Sequence, residues 1–428
     1  MPISRSTFDV VIVGARVAGT AAAILFARAG LSVLLVDKAE FPSDTISTHV
    51  VLGGGAAVLG RMGVLAMLQS AGGVRFSRMR TAGPDFDYGA ELRAGAEADA
   101  RGLCLGRVRM DQAMLDAARC IERVTVRARF RVTDLLIDSG VVAGVRGEDS
   151  TGLHEFTAPL VVGADGMRSA VAQIAGERLG AFSSKNVPCA RAYYYAYFDA
   201  VAAVRLGDEV VTEFESSPGA GSLVCRCEDG RVVGAVAFDA RELQSFRSDL
   251  TANFSAKLSE SIAVGRLLAQ ARVTGKIRSS GYLQNTYRDP ACDGALLLGD
   301  SGLHVDPLFG QGHSFALISA EVAAALAPKW FSARNGSVVS REALSEFTRE
   351  RDRQLMRYYD ASVRVSREPG LDPATSLAHR AACREQWAAE EMVGFAQMLT
   401  AESAFPSFRF ARLMARQRAA APAASHAN

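Results

Sequence analysis

The chain has 428 residues, 49% hydrophobic and 22% charged, which is ordinary for a globular protein long enough to form two domains. With 48 basic and 46 acidic residues, its formal net charge is +2, and no basic stripe suggests a nucleic-acid partner. No apolar run approaches the ~20 residues of a membrane span. The apolar stretch from Phe8 runs straight into a glycine turn, so it predicts a strand and not a signal peptide.

Cysteine and histidine usage gives no metal motif. The seven cysteines are odd in number and include no Cys-x-x-Cys, although Cys225 and Cys227 would share one face of a strand. The six histidines form no cluster with metal-ligand spacing. We therefore expect a reduced, cytoplasmic protein without a metal.

The segment from Val10 to Asp37 organises the rest of the chain. Val10–Val13 predicts a buried strand, Gly14–Gly19 a turn that opens a helix, and Val33–Val36 a second strand that ends at Asp37. A strand–helix–strand unit with an acid at this spacing is typical of a dinucleotide-binding fingerprint.

Each position of this fingerprint has a physical role. Gly14 permits the tight turn, Gly19 lets the helix lie close to the strand, and Asp37 can accept hydrogen bonds from a ribose diol. Backbone amides that open the helix would face a pyrophosphate. Arg16 stands where a middle glycine is usual, so we expect its side chain to point outward. Further candidate cofactor contacts here are Ala15, Val17, Ala18, Lys38 and Thr48.

Two further apolar strands also end in a Gly/Asp motif. Leu160–Val162 runs into Gly163-Ala164-Asp165-Gly166, and Ala295–Leu298 runs into Gly299-Asp300. The second motif continues through Pro307, Gly310, Gln311 and Gly312 into a helix predicted over 314–326. Ligands bind at the carboxyl edge of open parallel sheets, so we expect the three motifs to meet there.

The residue pattern changes between residues 185 and 285, where candidate strands separated by glycine-containing turns predict a sheet-based substrate domain. Tyr193, Tyr195 and Tyr197 share one strand face, which either packs on the domain's own helices or covers a ligand cavity. Arg191 and Arg226 are outward-facing charges or contacts for an anionic substrate. Residues 241–270 predict a helical pair.

These elements predict an α/β protein with a Rossmann-like FAD-binding domain, an inserted β-sheet substrate domain and a helical C-terminal region. The FAD-binding domain is predicted over residues 6–74, 102–180 and 284–370, and the substrate domain over residues 75–101 and 181–283. The helical C-terminal region is predicted over residues 371–428, with a frayed tail. This fold class follows from a resemblance carried by the three motifs in order. Together they resemble the FAD-dependent aromatic hydroxylase superfamily with the para-hydroxybenzoate hydroxylase fold, which also holds geranylgeranyl reductases and flavin halogenases. The resemblance covers about residues 8–330. The loop Phe41–His49 is similar to a subgroup of bacterial FAD-dependent oxidoreductases.

The resemblance implies roles for individual residues. Asp300, after Gly299, would hold the ribitol of FAD, and the loop from Pro307 to Gly312 would approach the flavin ring. Asp165 and Arg107 would contact FAD, with Arg168 as a possible aid, and Val132 would give backbone contacts to adenine. His49 would serve as an acid or base or bond a substrate oxygen near the flavin, or would hold its loop. His304 and His313 flank the flavin loop.

The chemistry implied is that of an FAD-dependent monooxygenase. NAD(P)H would reduce the flavin, and O2 would hydroxylate or epoxidise an electron-rich small molecule through a flavin C4a-hydroperoxide. The alternatives are a reductase or dehydrogenase acting on C=C bonds, and a non-catalytic flavin-fold chaperone. A halogenase is disfavoured because Trp330 and Trp387 cannot form a Trp-x-Trp-x-Ile-Pro signature. We expect no nucleic-acid partner, no membrane span, and a monomer or homodimer.

Overall fold

The computed structural model describes residues 4–43, 49–93, 99–199, 206–215, 219–279, 283–334, 338–399 and 405–420. The helices are α1 (Val17–Arg28), α2 (Gly53–Arg61), α3 (Leu65–Ser70), α4 (Arg107–Arg119), α5 (Ala170–Leu179), α6 (Leu243–Ser248), α7 (Leu250–Glu260), α8 (Ile262–Leu268), α9 (Gly312–Ser332), α10 (Arg341–Ser366), α11 (Pro373–Ala382), α12 (Gln386–Ala396) and α13 (Phe408–Ala420).

The strands are short, and most are bounded by glycine or polar residues. They are β1 (Ser4–Thr7), β2 (Val10–Val13), β3 (Val33–Val36), β4 (Val50–Val51), β5 (Val74–Phe76), β6 (Arg78–Gly83), β7 (Phe86–Glu91), β8 (Gly102–Cys104), β9 (Val124–Arg127), β10 (Arg131–Asp138), β11 (Val141–Asp149), β12 (Gly152–Thr157), β13 (Leu160–Gly163), β14 (Ser184–Pro188), β15 (Arg191–Phe198), β16 (Glu209–Phe214), β17 (Gly221–Arg226), β18 (Val232–Asp239), β19 (Val273–Ser279), β20 (Gln284–Arg288), β21 (Ala291–Cys292), β22 (Ala295–Leu297) and β23 (Leu303–His304).

The chain forms two compact units. The first contains residues 1–73, 105–188 and 284–363, and the second contains residues 74–104, 189–283 and 364–428. The C-terminal helices therefore belong to the second unit and do not form the separate region that we predicted. A buried hydrogen bond shows why, because the Tyr88 hydroxyl on β7 lies 2.8 Å from His379 Nδ1 on α11.

The first unit is built on a six-stranded sheet in the order β21-β22-β13-β2-β3-β9. Its strands are parallel except for the β21–β22 pair. Every residue of β2, β3 and β13 is buried, as expected of parallel strands covered on both faces. The carboxyl ends of β2, β13 and β22 share one edge, so the three motifs lie side by side. This confirms the predicted α/β fold class.

Two smaller sheets complete the first unit. One has the order β1-β12-β11-β10, in which β10 and β11 form a hairpin that turns at Gly140, and the other has the order β14-β20-β23. Aromatic and aliphatic residues pack the first of these against the main sheet, among them Phe130, Phe156 and Val11.

The second unit is built on a seven-stranded sheet in the order β19-β15-β18-β17-β16-β6-β7, antiparallel except for β16–β6. The even-numbered face of β15 packs on α6, α7 and α8 through Tyr194 and Phe198. Tyr193, Tyr195 and Tyr197 lie on the opposite face. The interpretation that these three tyrosines pack on the helices is therefore wrong. The predicted helical pair is also three helices, with Asp249 capping α7 through the Ala252 amide.

Two arginines of the second unit are tied to main-chain carbonyls. Arg191 is buried and donates to the oxygens of Val365 at 2.9 Å and Gly370 at 3.2 Å, so it does not face outward. Arg226 donates to the Gly207 oxygen at 3.2 Å. Neither contact suggests an anionic substrate.

The thiols of Cys225 and Cys227 meet a third cysteine. Cys104 Sγ lies 3.3 Å from Cys225 Sγ, and burial, together with hydrogen bonds to both partners, raises the pKa of Cys104. No group of His, Cys, Asp and Glu among the described residues is arranged to hold a metal ion. Within the same residues, we find no helix with the length and apolarity needed to cross a bilayer.

Candidate functional site

The glycine-rich turn after β2 is built with almost no free space. Gly14 has a φ of +107°, and a Cβ there would lie 2.3 Å from the Ala164 oxygen. A Cβ on Gly19 would lie 1.7 Å from the Gly14 oxygen. Both positions therefore require glycine, and the start of α1 is held close to the ends of β2 and β13.

Arg16 is tolerated in this turn because its backbone is extended, with φ −96° and ψ −164°. The side chain leaves the turn, but it ends on a protein carboxylate. Its Nη1 lies 2.8 Å from Asp111 Oδ2 and its Nη2 lies 3.2 Å from Ser43 Oγ. The guanidinium is therefore held by protein groups, with 30% of the side chain exposed.

Asp37 lies at the end of β3 and is 8% exposed. Its Oδ2 accepts the Ala15 amide and its Oδ1 accepts the Ala39 amide, each at 2.7 Å. Each carboxylate oxygen keeps lone-pair capacity for a ribose hydroxyl. Lys38 is exposed, and Thr48 lies outside the described residues.

The strand that carries Val132 begins next to this acid. The Phe130 amide donates to the main-chain oxygen of Asp37 at 2.8 Å, and the Arg129 amide donates to the main-chain oxygen of Ala39 at 3.1 Å. Val132 is half-buried on β10. The main chain at the start of β10 thus lies beside Asp37, and the contact of Val132 with an adenine stays a prediction.

Asp165, at the end of β13, caps α5. Its Oδ2 accepts the Ala170 amide at 2.7 Å, whereas Oδ1 is buried without a hydrogen-bond partner among the described residues. Burial raises the pKa of this carboxyl group. One oxygen is thus left for a ligand, while Arg168 is exposed.

Asp300, at the end of β22, has a side chain that is 42% exposed and lies 3.4 Å from His304 Nδ1. Partial burial disfavours its charge, but the combined attraction of nearby groups, His304 first and Arg107 among them, outweighs this and lowers the pKa of Asp300. The same pairing outweighs burial to raise the pKa of His304. Gly299 has a φ of +58°, and a Cβ there would lie 2.9 Å from Ala18 Cβ, so the third motif contacts α1.

Two residues that sequence reasoning missed hold these loops together. Ser301 Oγ donates to the oxygens of Gly163 at 2.5 Å and Leu298 at 2.6 Å. Arg288 donates to the Ser301 oxygen at 2.7 Å and the Met167 oxygen at 3.1 Å. The loop of Asp165 and the loop of Asp300 are thereby joined.

The loop that leads to α9 is held by two polar side chains that we did not predict. Asn285 Oδ1 accepts the Asp306 amide at 2.8 Å, and Asp306 Oδ1 accepts the Leu308 amide at 2.9 Å. Pro307–Phe309 form a single 3-10 turn, and Gly310 follows with a φ of +66°. All three turn residues are half-buried, so one side of this turn remains open.

Gln311 is held by α10 and by its own helix. Its side-chain oxygen accepts the Ser362 hydroxyl of α10 at 2.9 Å, and its main-chain oxygen accepts the Phe315 amide at 2.9 Å. Helix α9 starts at Gly312, two residues earlier than predicted, and has no acidic residue in its first turn. The positive end of a helix is thus directed at the loop.

Arg107 connects the first and third motifs. It is 8% exposed, and its Nη2 lies 2.9 Å from both oxygens of Asp111, a residue that is 0% exposed. Its positive charge also lowers the pKa values of Asp300 and His313. Asp111 was missed, although an Arg and an Asp four residues apart on a helix predict such a pair.

The other two histidines named as candidates, His49 and His313, are buried. His49 is 1% exposed, and its main-chain oxygen accepts the Leu105 amide at 3.1 Å. His313 Nδ1 lies 3.1 Å from the Val50 oxygen, and burial lowers the pKa of His313 to about 3, so its imidazole is neutral at pH 7. The structure therefore places both side chains inside the protein.

These features fit FAD. The strand-end acids Asp37 and Asp300 suit a ribose and a ribitol, and α1 has no acidic residue in its first turn, where a diphosphate would lie. The open loop before α9 suits a flat ring. The fold and site thus define a dinucleotide-binding flavoprotein.

The comparisons agree with this class. The family model described as "FAD binding domain" matches residues 7–361, and the chain belongs to that family. A digeranylgeranylglycerophospholipid reductase of Methanothermobacter thermautotrophicus is 28% identical over 329 residues, which cover 75% of this chain and 77% of that protein.

Solved structures show the same fold. A flavoprotein/dehydrogenase from Cytophaga hutchinsonii matches with a TM-score of 0.80 at 16% identity, covering 97% of this chain and 100% of that one. The p-nitrophenol 4-monooxygenase from Pseudomonas putida matches with a TM-score of 0.74 at 16% identity, covering 93% of this chain and 99% of that one. This chain is a flavin-dependent oxidoreductase whose cofactor is FAD.

Proposed function

We propose that this protein is an FAD-dependent monooxygenase that uses NAD(P)H and O2 to hydroxylate or epoxidise an electron-rich small molecule. When bound, FAD would supply the redox chemistry, which is the acceptance of a hydride from NAD(P)H and the transfer of electrons to O2. The observation that carries the proposed flavin chemistry is the positive end of α9 behind the half-buried turn Pro307–Gly310.

The chain's own groups would stabilise negative charge at this place. The first turn of α9 presents amides without a competing acid, and Arg107 and His304 add positive charge near Asp300. Stabilising the anionic form of a reduced flavin favours electron transfer to O2. Pro307 fixes the turn, and Gly310 adopts the left-handed conformation that closes it.

A reductase acting on C=C bonds is the second candidate. It is favoured by the 28% identity to the digeranylgeranylglycerophospholipid reductase over three quarters of this chain. The fold serves both reactions, and the positive end of α9 would stabilise a reduced flavin in either. The two candidates differ in what oxidises that flavin.

Rapid mixing separates these candidates. The anaerobically reduced protein is mixed either with oxygenated buffer, or anaerobically with digeranylgeranylglycerophospholipid. We expect an absorbing species that precedes the oxidised flavin spectrum in the first experiment, and no reoxidation in the second. Reoxidation by the lipid, together with a single-phase return in oxygen, would instead establish the reductase.

Incorporation of 18O2 gives an independent test. A panel of phenols that includes p-nitrophenol is supplied with NAD(P)H, and the products are analysed by mass spectrometry. Transfer of one oxygen atom to any member supports the monooxygenase. We also propose that the substrate domain, including the tyrosine face of β15, binds the substrate. An identified product would allow the residues that contact it to be mapped.

A further inference from the structure

Helix α13 packs on the second unit through one apolar side. Phe410 is 0% exposed and belongs to a hydrophobic cluster with Ala381 at the end of α11 and Ala388 of α12. Leu413 and Met414 are half-buried and pack against the same cluster. Because these apolar residues share one side of the helix, the opposite side of α13 is left to solvent.

The opposite side of α13 exposes an aromatic ring among cations. Phe408 is 80% exposed, the largest exposed fraction among the large hydrophobic residues that the structure describes. The Arg412 guanidinium lies 5.8 Å from the centre of the Phe408 ring, so the cation and the ring are neighbours. We call Phe408 and the exposed arginines of this helix the basic face of α13. These arginines are Arg409, Arg412, Arg416 and Arg418.

The arginines of the basic face form no ion pair with any residue that the structure describes. Arg409 instead lies over the ring of Trp387 on α12, with its guanidinium carbon 3.9 Å from the ring centre. A cation–π contact of this kind does not remove the charge of the guanidinium. The four positive charges therefore remain without a carboxylate partner in the described part of the chain.

The acids of residues 373–428 are too few to balance these charges. Glu390 of α12 lies 3.2 Å from Arg93 and is therefore already paired. Three acids remain against the four arginines of the basic face, so a net positive charge is left. Those three are Glu385, Glu391 and Glu402, the last of which lies outside the described residues.

The acids of the β6–β7 hairpin, on which α11 and α12 pack, are paired as well. Each of them lies within ion-pair distance of an arginine that is not part of the basic face. The pairs are Asp85 with Arg380 at 2.9 Å, Asp87 with Arg80 at 2.6 Å and Glu91 with Arg78 at 3.3 Å. The neighbouring strands thus add no unpaired acid that would cancel the charge of α13.

We propose that the basic face of α13 binds an anionic membrane surface. The arginines would contact lipid phosphates, and Phe408 would enter the boundary between the headgroups and the acyl chains. Phosphates alone would satisfy the arginines but would leave Phe408 in water, which favours a lipid surface over a nucleic acid. Because the other side of α13 is packed inside the protein, the contact would be peripheral. The inference does not depend on which reaction the flavin carries out.

The experiment measures co-sedimentation of the FAD-loaded protein with lipid vesicles. Vesicles of phosphatidylcholine are compared with vesicles of an equal mixture of phosphatidylcholine and phosphatidylglycerol, an anionic lipid, at low and high salt. We expect wild type to bind the anionic vesicles and not the neutral ones. High salt should release the protein, because the attraction between exposed charges is then screened.

Two variants separate the contributions of charge and ring. We expect Arg412→Glu combined with Arg416→Glu to lower the partition coefficient for anionic vesicles about thirtyfold or more, since each cation near an anionic surface contributes about fivefold. Phe408→Ser should lower it about tenfold, because burial of the aromatic ring is lost.

The matched control is Arg334→Glu combined with Arg349→Glu, which makes the same change in net charge in the first unit. Both arginines are exposed, and Arg334 lies 5.5 Å from the centre of the Phe331 ring, as Arg412 does near Phe408. We expect this variant to bind anionic vesicles like wild type. Thermal denaturation and flavin content check that every variant is folded.

Three outcomes would overturn the proposal. Failure of wild type to bind the anionic vesicles would show that α13 is not a membrane-binding surface. Equal losses in the Arg412/Arg416 variant and in the control would assign the binding to net charge and not to α13. Unchanged binding by Phe408→Ser would show that no ring enters the lipid, so that any source of phosphate would serve.

Other occupants of the basic face are tested separately. If the Arg412/Arg416 variant changes the oligomeric state in sedimentation velocity without lipid, the face is an interface between copies of this chain. If wild type binds duplex DNA more tightly than anionic vesicles at equal phosphate concentration, the face is a nucleic-acid site. Either result would contradict the proposal, whereas an unchanged oligomeric state and weaker binding of DNA would support it.

Discussion

Buried and strand-end carboxylates are used differently in the two compact units. In the second unit, Glu213 is 3% exposed, and its carboxylate satisfies the amides at the start of α8. It accepts hydrogen bonds from the Ser261 hydroxyl and from the amides of Ile262, Ala263 and Val264. In the first unit, Asp165 has an oxygen without a partner among the described residues, and Asp300 is 42% exposed. We expect the spare acceptor capacity of Asp165 and Asp300 to serve the cofactor, whereas Glu213, whose acceptors are occupied, stabilises the fold.

The largest effect is expected from Gly14→Val. A Cβ would lie 2.3 Å from the Ala164 oxygen at a φ of +107°, so the turn must be rebuilt. We expect loss of both bound FAD and folded protein, measured by flavin content and thermal denaturation. Gly30→Val is the control, since Gly30 also has a positive φ (+92°) but no atom within 4 Å of an added Cβ. A Gly14→Val variant that binds FAD normally would contradict the tight turn.

Glu213→Gln should destabilise the second unit without affecting FAD. The neutral amide cannot replace a carboxylate that accepts several hydrogen bonds, so we expect a loss of about 3 kcal/mol in the free energy of unfolding. Urea denaturation measures the stability and fluorescence titration measures the FAD affinity. A reduced FAD affinity in the folded variant would break the distinction between the two kinds of carboxylate.

Asp300→Ala should have the opposite effect. Its half-exposed side chain contributes little to folding, but loss of a ribitol acceptor should weaken FAD binding about tenfold to a hundredfold. Thermal denaturation of the apoprotein should change little. Wild-type affinity would refute the placement of the ribitol at Asp300.

A smaller effect is expected in the pH dependence of apoprotein stability. The raised pKa of His304 means that its contribution is present below pH ~6.5, the ordinary value, and is lost as pH rises through the folded-state value. The lowered pKa of Asp300 means that its contribution is lost only as pH falls below its ordinary range. His304→Gln should remove the decline above pH ~6.5 from the melting temperature profile. An unchanged profile would contradict the ion pair.

The smallest effect on FAD binding is expected from His49→Ala, a change whose functional readout is turnover. We propose that His49 supports the reaction, although its imidazole is 1% exposed. Turnover should fall while FAD remains bound, as measured by steady-state kinetics and flavin content. Unchanged turnover would assign His49 to a structural role in its loop.

The sequence predicted the parts of the fold that depend on local pattern. The local pattern is an apolar strand, a glycine at the turn that follows it and an acid at the end of the next strand. The structure places Val10–Val13, Gly14 and Asp37 as this pattern predicts. Ser301, Asn285 and Arg288 could not be found this way, because each bonds main chain that is distant in sequence or follows a turn. The tyrosines of β15 show a further limit, since period two gives the shared face but not which face meets the helices.

Arg288 has a consequence for the evolution and transplantation of this site. One guanidinium spans from the Met167 oxygen to the Ser301 oxygen, so its size sets the spacing of two loops that are far apart in sequence. An insertion in either loop would move its carboxylate relative to the other unless this bridge changed with it. The two loops are therefore expected to vary in length together, and a graft of this flavin site onto another scaffold must carry both loops and the strand that holds Arg288.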